Sequence, residues 1–141
     1  MMKKIKLGFD IHGVLDTHFD RYHKLISSFD RDKVEIHIIT GMKEPLALEE
    51  NPNLQLLNYD KWFSIHQYCE DLGADIEFDH KNRPLVDPKI WDKQKADYCH
   101  REEILFIFDD SPHYGQHMDP NIVVYLQQHN PSWKDWRHVA E

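Results

Sequence analysis

Apolar residues recur along this chain in two alternating periods, short β-branched runs and longer stretches with three-to-four spacing. Ile5, Leu7, Phe9 and Ile11 give a first strand over residues 4–11, apolar enough to be covered on both faces. Phe19, Tyr22, Leu25, Ile26 and Phe29 share one face of a helix over about 19–29. A second strand is expected at 33–40, closed by Thr40-Gly41. A short helix near 45–50 then ends at the turn signal Asn51-Pro52-Asn53. Asp60 reads as the N-cap of a helix carrying Trp62, Ile65, His66, Cys69 and Leu72, with Gly73 as its stop. Residues 74–78 read as a third strand, and Asp87-Pro88 as the start of a helix reaching about Arg101. The most apolar strand is expected at 104–108, a fifth at 122–126, and a terminal helical turn at 133–139.

Strand and helix therefore alternate, which predicts an α/β, three-layer, Rossmann-like fold. Its sheet has five mostly parallel strands, helices on both faces and right-handed crossovers. A length of 141 residues suits one domain spanning 1–141. The link between the first two strands has room for one helix and no inserted lid.

Composition narrows the class. Hydrophobic residues make up 40% and charged residues 30%, as in soluble globular proteins. The net charge of -8 disfavours non-specific binding to nucleic acid or to anionic membranes. A phosphate substrate stays compatible with that charge if a bound cation reverses the local sign. Cys69 and Cys99 stand on predicted helices with no CxxC spacing, so two reduced, core-filling thiols are expected. The N-terminal apolar run is broken by Lys6 and ends at Asp10, too short for a signal peptide or membrane span. A cytoplasmic location is the expectation.

The candidate chemistry sits at predicted strand ends: Asp10 after the first strand, Thr40 after the second, and Asp109-Asp110 after the fourth. Lys95 opens the segment KADYC, which runs into that fourth strand, and is favoured as the partner lysine over Lys93. Each residue suits a task in phosphoryl transfer. A carboxylate can attack phosphorus and hold the group as an acyl phosphate. A hydroxyl and an ammonium can neutralise the transferring group, and paired carboxylates suit Mg²⁺. Asp16 and Asp20 are expected to cap the first helix. His113 and His117 have a metal-compatible spacing but no evident third ligand.

This set resembles, in the same order, the haloacid dehalogenase-like superfamily of phosphohydrolases, over nearly the whole chain. The resemblance rests on Asp10-Ile11-His12-Gly13-Val14-Leu15-Asp16, on Ile38-Ile39-Thr40-Gly41, on the lysine, and on Phe106-Ile107-Phe108-Asp109-Asp110-Ser111. It implies a capless member of that fold with Asp10 as nucleophile and metal ligand. Thr40 and Lys95 would hold the phosphoryl oxygens, and Asp109 and Asp110 would complete a Mg²⁺ site. The metal would also meet the backbone carbonyl of His12. The implied substrate is a phosphomonoester, with an open site admitting a nucleotide, a nucleic-acid end or a phosphoprotein, or closed by a second subunit.

His12 departs from that pattern, because the family's phosphatases carry there an aspartate that acts as general acid and base. Imidazole exchanges protons near neutral pH, so three readings stand. They are a phosphatase using His12, an altered phosphotransferase, and a non-catalytic binding or regulatory domain. A receiver domain would place its acidic pair after the first strand, and a dinucleotide site would need GxGxxG there; neither occurs.

Overall fold

The computed structural model describes residues 3–134. Five strands form one parallel sheet: β1 (Ile5–Phe9), β2 (Val34–Thr40), β3 (Lys61–Ser64), β6 (Phe106–Asp109) and β7 (Val124–Gln127). Their order is β3-β2-β1-β6-β7. From β1 the chain steps outward through β2 to β3, then crosses back over the starting strand to β6 and on to β7. The strand order thus reverses between β1 and β6, where open α/β sheets gather their ligands.

Alternation along the strands makes two cores. Leu7, Phe9, Ile36 and Ile38 face α1 (Phe19–Ser27), α2 (Glu44–Glu50) and a 3₁₀ turn at Pro52–Leu57, burying Tyr22, Ile26, Ala47, Leu54 and Leu57 with them. On the opposite face, Ile39 and Ile107 meet α3 (Ile65–Asp71), α4 (Pro88–Trp91) and α5 (Gln94–Glu102) through Ile65, Cys69, Trp91, Tyr98 and Cys99. Gly8 points to this second face, where a Cβ would lie 2.5 Å from Ile39 Cδ1. The missing side chain is what lets Ile39 cross the central strand. Both thiols are free and buried, and no helix among the described residues is long and apolar enough to cross a membrane.

Three expectations change. The third strand is Lys61–Ser64 rather than 74–78, pairing Ile38 with Trp62 and Thr40 with Ser64. It runs into α3 with no loop, because the Ser64 hydroxyl accepts the Gln67 N–H at 3.0 Å and caps the helix. Helical spacing of Trp62, Ile65 and Cys69 masked the four-residue strand. Asp60 is accordingly no helix cap; its carboxylate accepts the Ile36 N–H at 2.8 Å and pairs with Arg31. In the 74–78 stretch only β4 (Glu77–Phe78) is extended, and it forms an antiparallel ribbon with β5 (Pro84–Leu85) outside the main sheet. The helix from Pro88 is broken in two before Gln94. Most of the terminal turn expected at 133–139 lies outside the described residues.

His37 sits fully buried in β2, its ring nitrogens 2.7 Å from the Tyr98 hydroxyl and 2.6 Å from Glu35 Oε1. Burial holds its pKa below the ordinary value, with Glu35 opposing. A depressed folded pKa means that the unfolded chain takes up the proton first. The His37 contribution is therefore complete above about pH 6.5 and is lost as pH falls from there through the folded pKa. His37→Asn should cost about 1–3 kcal/mol at pH 8, with the gap to the unmodified protein narrowing at pH 5.5. Thermal midpoints at the two pH values test this, and a gap that ignores pH would refute it.

Candidate active site

The register of β1 against β6 sets Phe9 opposite Phe108, and the Asp10 N–H donates to the Phe108 carbonyl at 2.8 Å. Asp10 and Asp109 thereby leave adjacent strand ends side by side. Lys95 reaches them from α5, whose inner face buries Gln94, Lys95, Ala96, Tyr98 and Cys99. Its ammonium lies 2.6 Å from Asp109 Oδ2 and 3.1 Å from Asp10 Oδ1. The same nitrogen stands 4.4 Å over the Tyr114 ring, whose hydroxyl accepts the Trp91 Nε1–H at 2.8 Å. Lys93 is exposed at the start of α5 and does not line the cleft.

Asp110 follows directly and accepts the Asn130 Nδ2–H at 2.7 Å. The Ser111 N–H returns to Asp109 Oδ1 at 3.0 Å, and its hydroxyl caps α6 (Pro112–Gly115) through the His113 N–H. Tyr125 on β7 donates its hydroxyl to the Ser111 carbonyl. Thr40 is buried at the end of β2, where its Oγ1 accepts the Met42 N–H at 3.3 Å. Together with Asp10, His12, Lys95 and Asp110 it lines one cleft of ≈ 920 Å³.

The loop after β1 is a wide turn in which the Leu15 and Asp16 N–H groups reach back to the Asp10 and Ile11 carbonyls. Its pivot is Gly13, at φ +82°, where a Cβ would sit 2.0 Å from Asp110 Oδ2. Asp16 is no cap for α1, since the turn folds it back onto Gly13 and His12. Its Oδ1 accepts the Gly13 N–H at 2.8 Å, and its Oδ2 lies 3.2 Å from His12 Nδ1. The other ring nitrogen of His12 faces Met42 Sδ and the mouth of the cleft. Asp16 holds the His12 pKa above its ordinary value, against the opposing effect of burial.

Charge at the centre is unbalanced. Oxygens of Asp10, Asp109 and Asp110 all lie within 4.8 Å of one another, with the ammonium of Lys95 between the first two. Burial, then the Asp109 carboxylate, push the Asp10 pKa well above its ordinary value, and Lys95 offsets this only in part. Burial alone would lower the Lys95 pKa, but Asp10 and Asp109 reverse that and raise it. Asp110 is raised by burial, with the Asn130 hydrogen bond opposing. Three hard carboxylate donors around a single cation make a set that suits a divalent ion such as Mg²⁺.

All six residues expected from strand ends and motifs thus converge on one cleft or its floor. Asp16, Asn130, Tyr114 and the anchoring role of Gly13 were not evident. Asp16 stands four residues after His12, the one spacing that could have suggested the pair. Asn130 and Tyr114 carry no local signal. His113 lines the cleft 5.3 Å from the Trp133 ring, whereas His117 does not line it. Compared with protein-family models, curated proteins and solved structures, the chain shows no match.

Two stability measurements follow from this geometry. Lys95→Met leaves the buried carboxylates without their counter-charge and should cost about 3–5 kcal/mol, read from denaturant unfolding at pH 7.5 in EDTA; an unchanged midpoint would contradict the ion-pair account. Gly13→Ala and Gly73→Ala both force alanine to a positive φ, but only at Gly13 does the new methyl meet a neighbour. Gly73→Ala should cost about 1–2 kcal/mol and Gly13→Ala distinctly more. Equal losses would mean that Asp110 yields freely.

Proposed function

We propose that the protein is a Mg²⁺-dependent phosphatase or phosphotransferase acting on phosphomonoesters through Asp10, on the pattern of the haloacid dehalogenase-like enzymes. The observation that carries this reading is the buried Lys95 ammonium bridging Asp10 and Asp109, with Asp110 alongside and Thr40 in the same cleft. A structural ion pair needs one acid; here three acids cluster, and two of them, Asp10 and Asp110, line a cleft together with Thr40.

Lys95 holds Asp10 at Oδ1 and leaves Oδ2 for attack on phosphorus. As the new P–O bond to Asp10 forms, the ester P–O bond breaks and the leaving oxygen takes a proton from His12. A water then attacks the aspartyl phosphate, giving its proton to His12. The bond to Asp10 breaks, and inorganic phosphate leaves with Asp10 restored. Thr40 and Lys95 donate to the phosphoryl oxygens, whose charge grows on the way to the transition state. Asp10, Asp109 and Asp110, with the His12 carbonyl, would hold the Mg²⁺, which neutralises charge on the transferring group and allows Asp10 to ionise.

His12 takes the acid-base role in this scheme because Asp16 orients its ring. Asp16 on Nδ1 orients the ring, and the other nitrogen, 2.9 Å from Met42 Sδ at the mouth of the cleft, is the one that would exchange protons. A binding or regulatory domain built on the same scaffold would not need that second layer.

Hydrolysis of an aryl phosphate tests the proposal. Turnover should need Mg²⁺, stop on chelation, and fall on the order of 10³-fold or more in Asp10→Asn. His12→Ala should lower kcat by about 10²–10⁴-fold, and His12→Asp should restore much of it. If His12→Asp creates turnover in a protein otherwise silent toward a broad phosphate panel, the unmodified chain is a binding domain.

A further inference from the structure

Two strands away from Asp10, at the carboxyl end of β3, the cleft has a polar wall that the chemistry above leaves unused. His66, in the first turn of α3, lines it and is only 7% exposed. Its Nε2 makes no hydrogen bond. The nearby acid is Glu70, whose Oε2 lies 3.8 Å away and already accepts from Lys43 Nζ. Burial and the Lys43 charge hold the His66 pKa below its ordinary value, so near neutral pH the ring is uncharged and one of its nitrogens is a donor. Buried polar groups are ordinarily satisfied, and the residue that carries this one lines a cleft.

The ribbon supplies the rest of the wall. Phe78 packs edge-on against His66, with ring centroids 5.9 Å apart. Beyond it, the Asp79 carboxylate accepts the N–H groups of Lys81 and Arg83 at 2.9 and 2.8 Å and the Arg83 Nε–H at 2.7 Å. Asn82, at φ +62°, closes that tip. The construction sets Lys81 and Arg83 in the lining of the cleft, and the Lys81 ammonium enters no ion pair among the described residues. The acidic lining residues outside the carboxylate cluster, Glu49 and Glu50, come from the α2 side.

We propose that His66, Lys43 and Lys81 form a second anion subsite, so that the substrate is a phosphomonoester whose leaving group carries a further phosphate or a carboxylate. The activity proposed for Asp10 identifies the first group, and the subsite itself is defined by binding. A neutral donor beside a cation suits an anionic oxygen, because charge-assisted hydrogen bonds are the stronger kind. The protein carries a net charge of -8, so a doubly anionic ligand gains from this local reversal of sign.

Phosphonates, which resist hydrolysis, separate this binding from turnover. The full chain is titrated calorimetrically in Mg²⁺ and low salt with alkylphosphonates of three and six carbons ending in methyl, carboxylate or a second phosphonate. At one of the two lengths, a doubly anionic ligand should bind about tenfold tighter than its methyl counterpart, and the better end group assigns carboxylate or phosphate. Lys81→Ala and His66→Asn should bring the ratio close to one, whereas Lys89→Ala, outside the cleft, should keep it. Should His66→Asn fail to fold, Lys81→Ala on the exposed tip still reads the subsite. Equal affinities across both series, or a preference that survives Lys81→Ala and His66→Asn, would overturn the inference. A preference in a protein that hydrolyses no phosphate would retain the subsite while removing the activity proposed above.

Discussion

Lys95 buries an ammonium between Asp10 and Asp109, at 3.1 and 2.6 Å, where all three residues are 7% exposed or less. An isolated charge in such a place is strongly penalised, and a group of them persists only if each member answers another. The arrangement needs β1 and β6 to be neighbours and α5 to lie across the second face. Reversal of strand order brings the first two together, and the α5 face that buries Ala96 and Cys99 brings the third. Because two acids take up one cation, Asp110 adds charge that the described protein groups do not balance. That excess of acid is what makes the cluster a candidate cation site.

Around this centre the loops are shaped by contact rather than by propensity. Gly13 stands where its chain must turn left-handed and pass against the Asp110 carboxylate, so one residue answers a backbone demand and a packing demand together. The same turn folds Asp16 back onto His12. An acidic residue that local pattern assigns to helix capping is drawn instead into the site, since the Gly13 N–H and the imidazole offer it two partners and α1 offers none.

Much of this was legible in the sequence because parallel strands buried on both faces read as apolar runs, and because their last residues stand out as polar. That made Asp10, Thr40, Asp109 and Asp110 visible one by one, and their order joined them. Lys95 was separable from Lys93 only by its distance to the following strand. What escaped notice depended on contacts across the chain. Lys61–Ser64 is too short to show a period of its own and continues into a helix whose spacing overrides it. The ribbon is held by Asp79 and the Phe78–His66 contact rather than by an apolar pattern. Asn130 meets Asp110 twenty residues downstream, a distance over which no local signal extends.

The position of β1 also governs how the chain must assemble. Its first neighbour is close in sequence, with Ile5 opposite Val34, but its second is remote, with Leu7 opposite Phe106. Sequence-distant pairing carries a loop-closure cost before it returns any contact, and it slows folding accordingly. Until Phe106–Asp109 docks, the central strand has an open edge, and Asp10 lacks both its lysine and its neighbouring acid. The half of the sheet built from β1, β2 and β3 can form while the chain is still being synthesised, whereas the charged centre closes only after residue 109 has been made. The site and the sheet are therefore both completed late, with β7 and Asn130 still to follow β6, and a chain truncated before β6 would expose Gly8 and Phe9 along an unpaired strand edge.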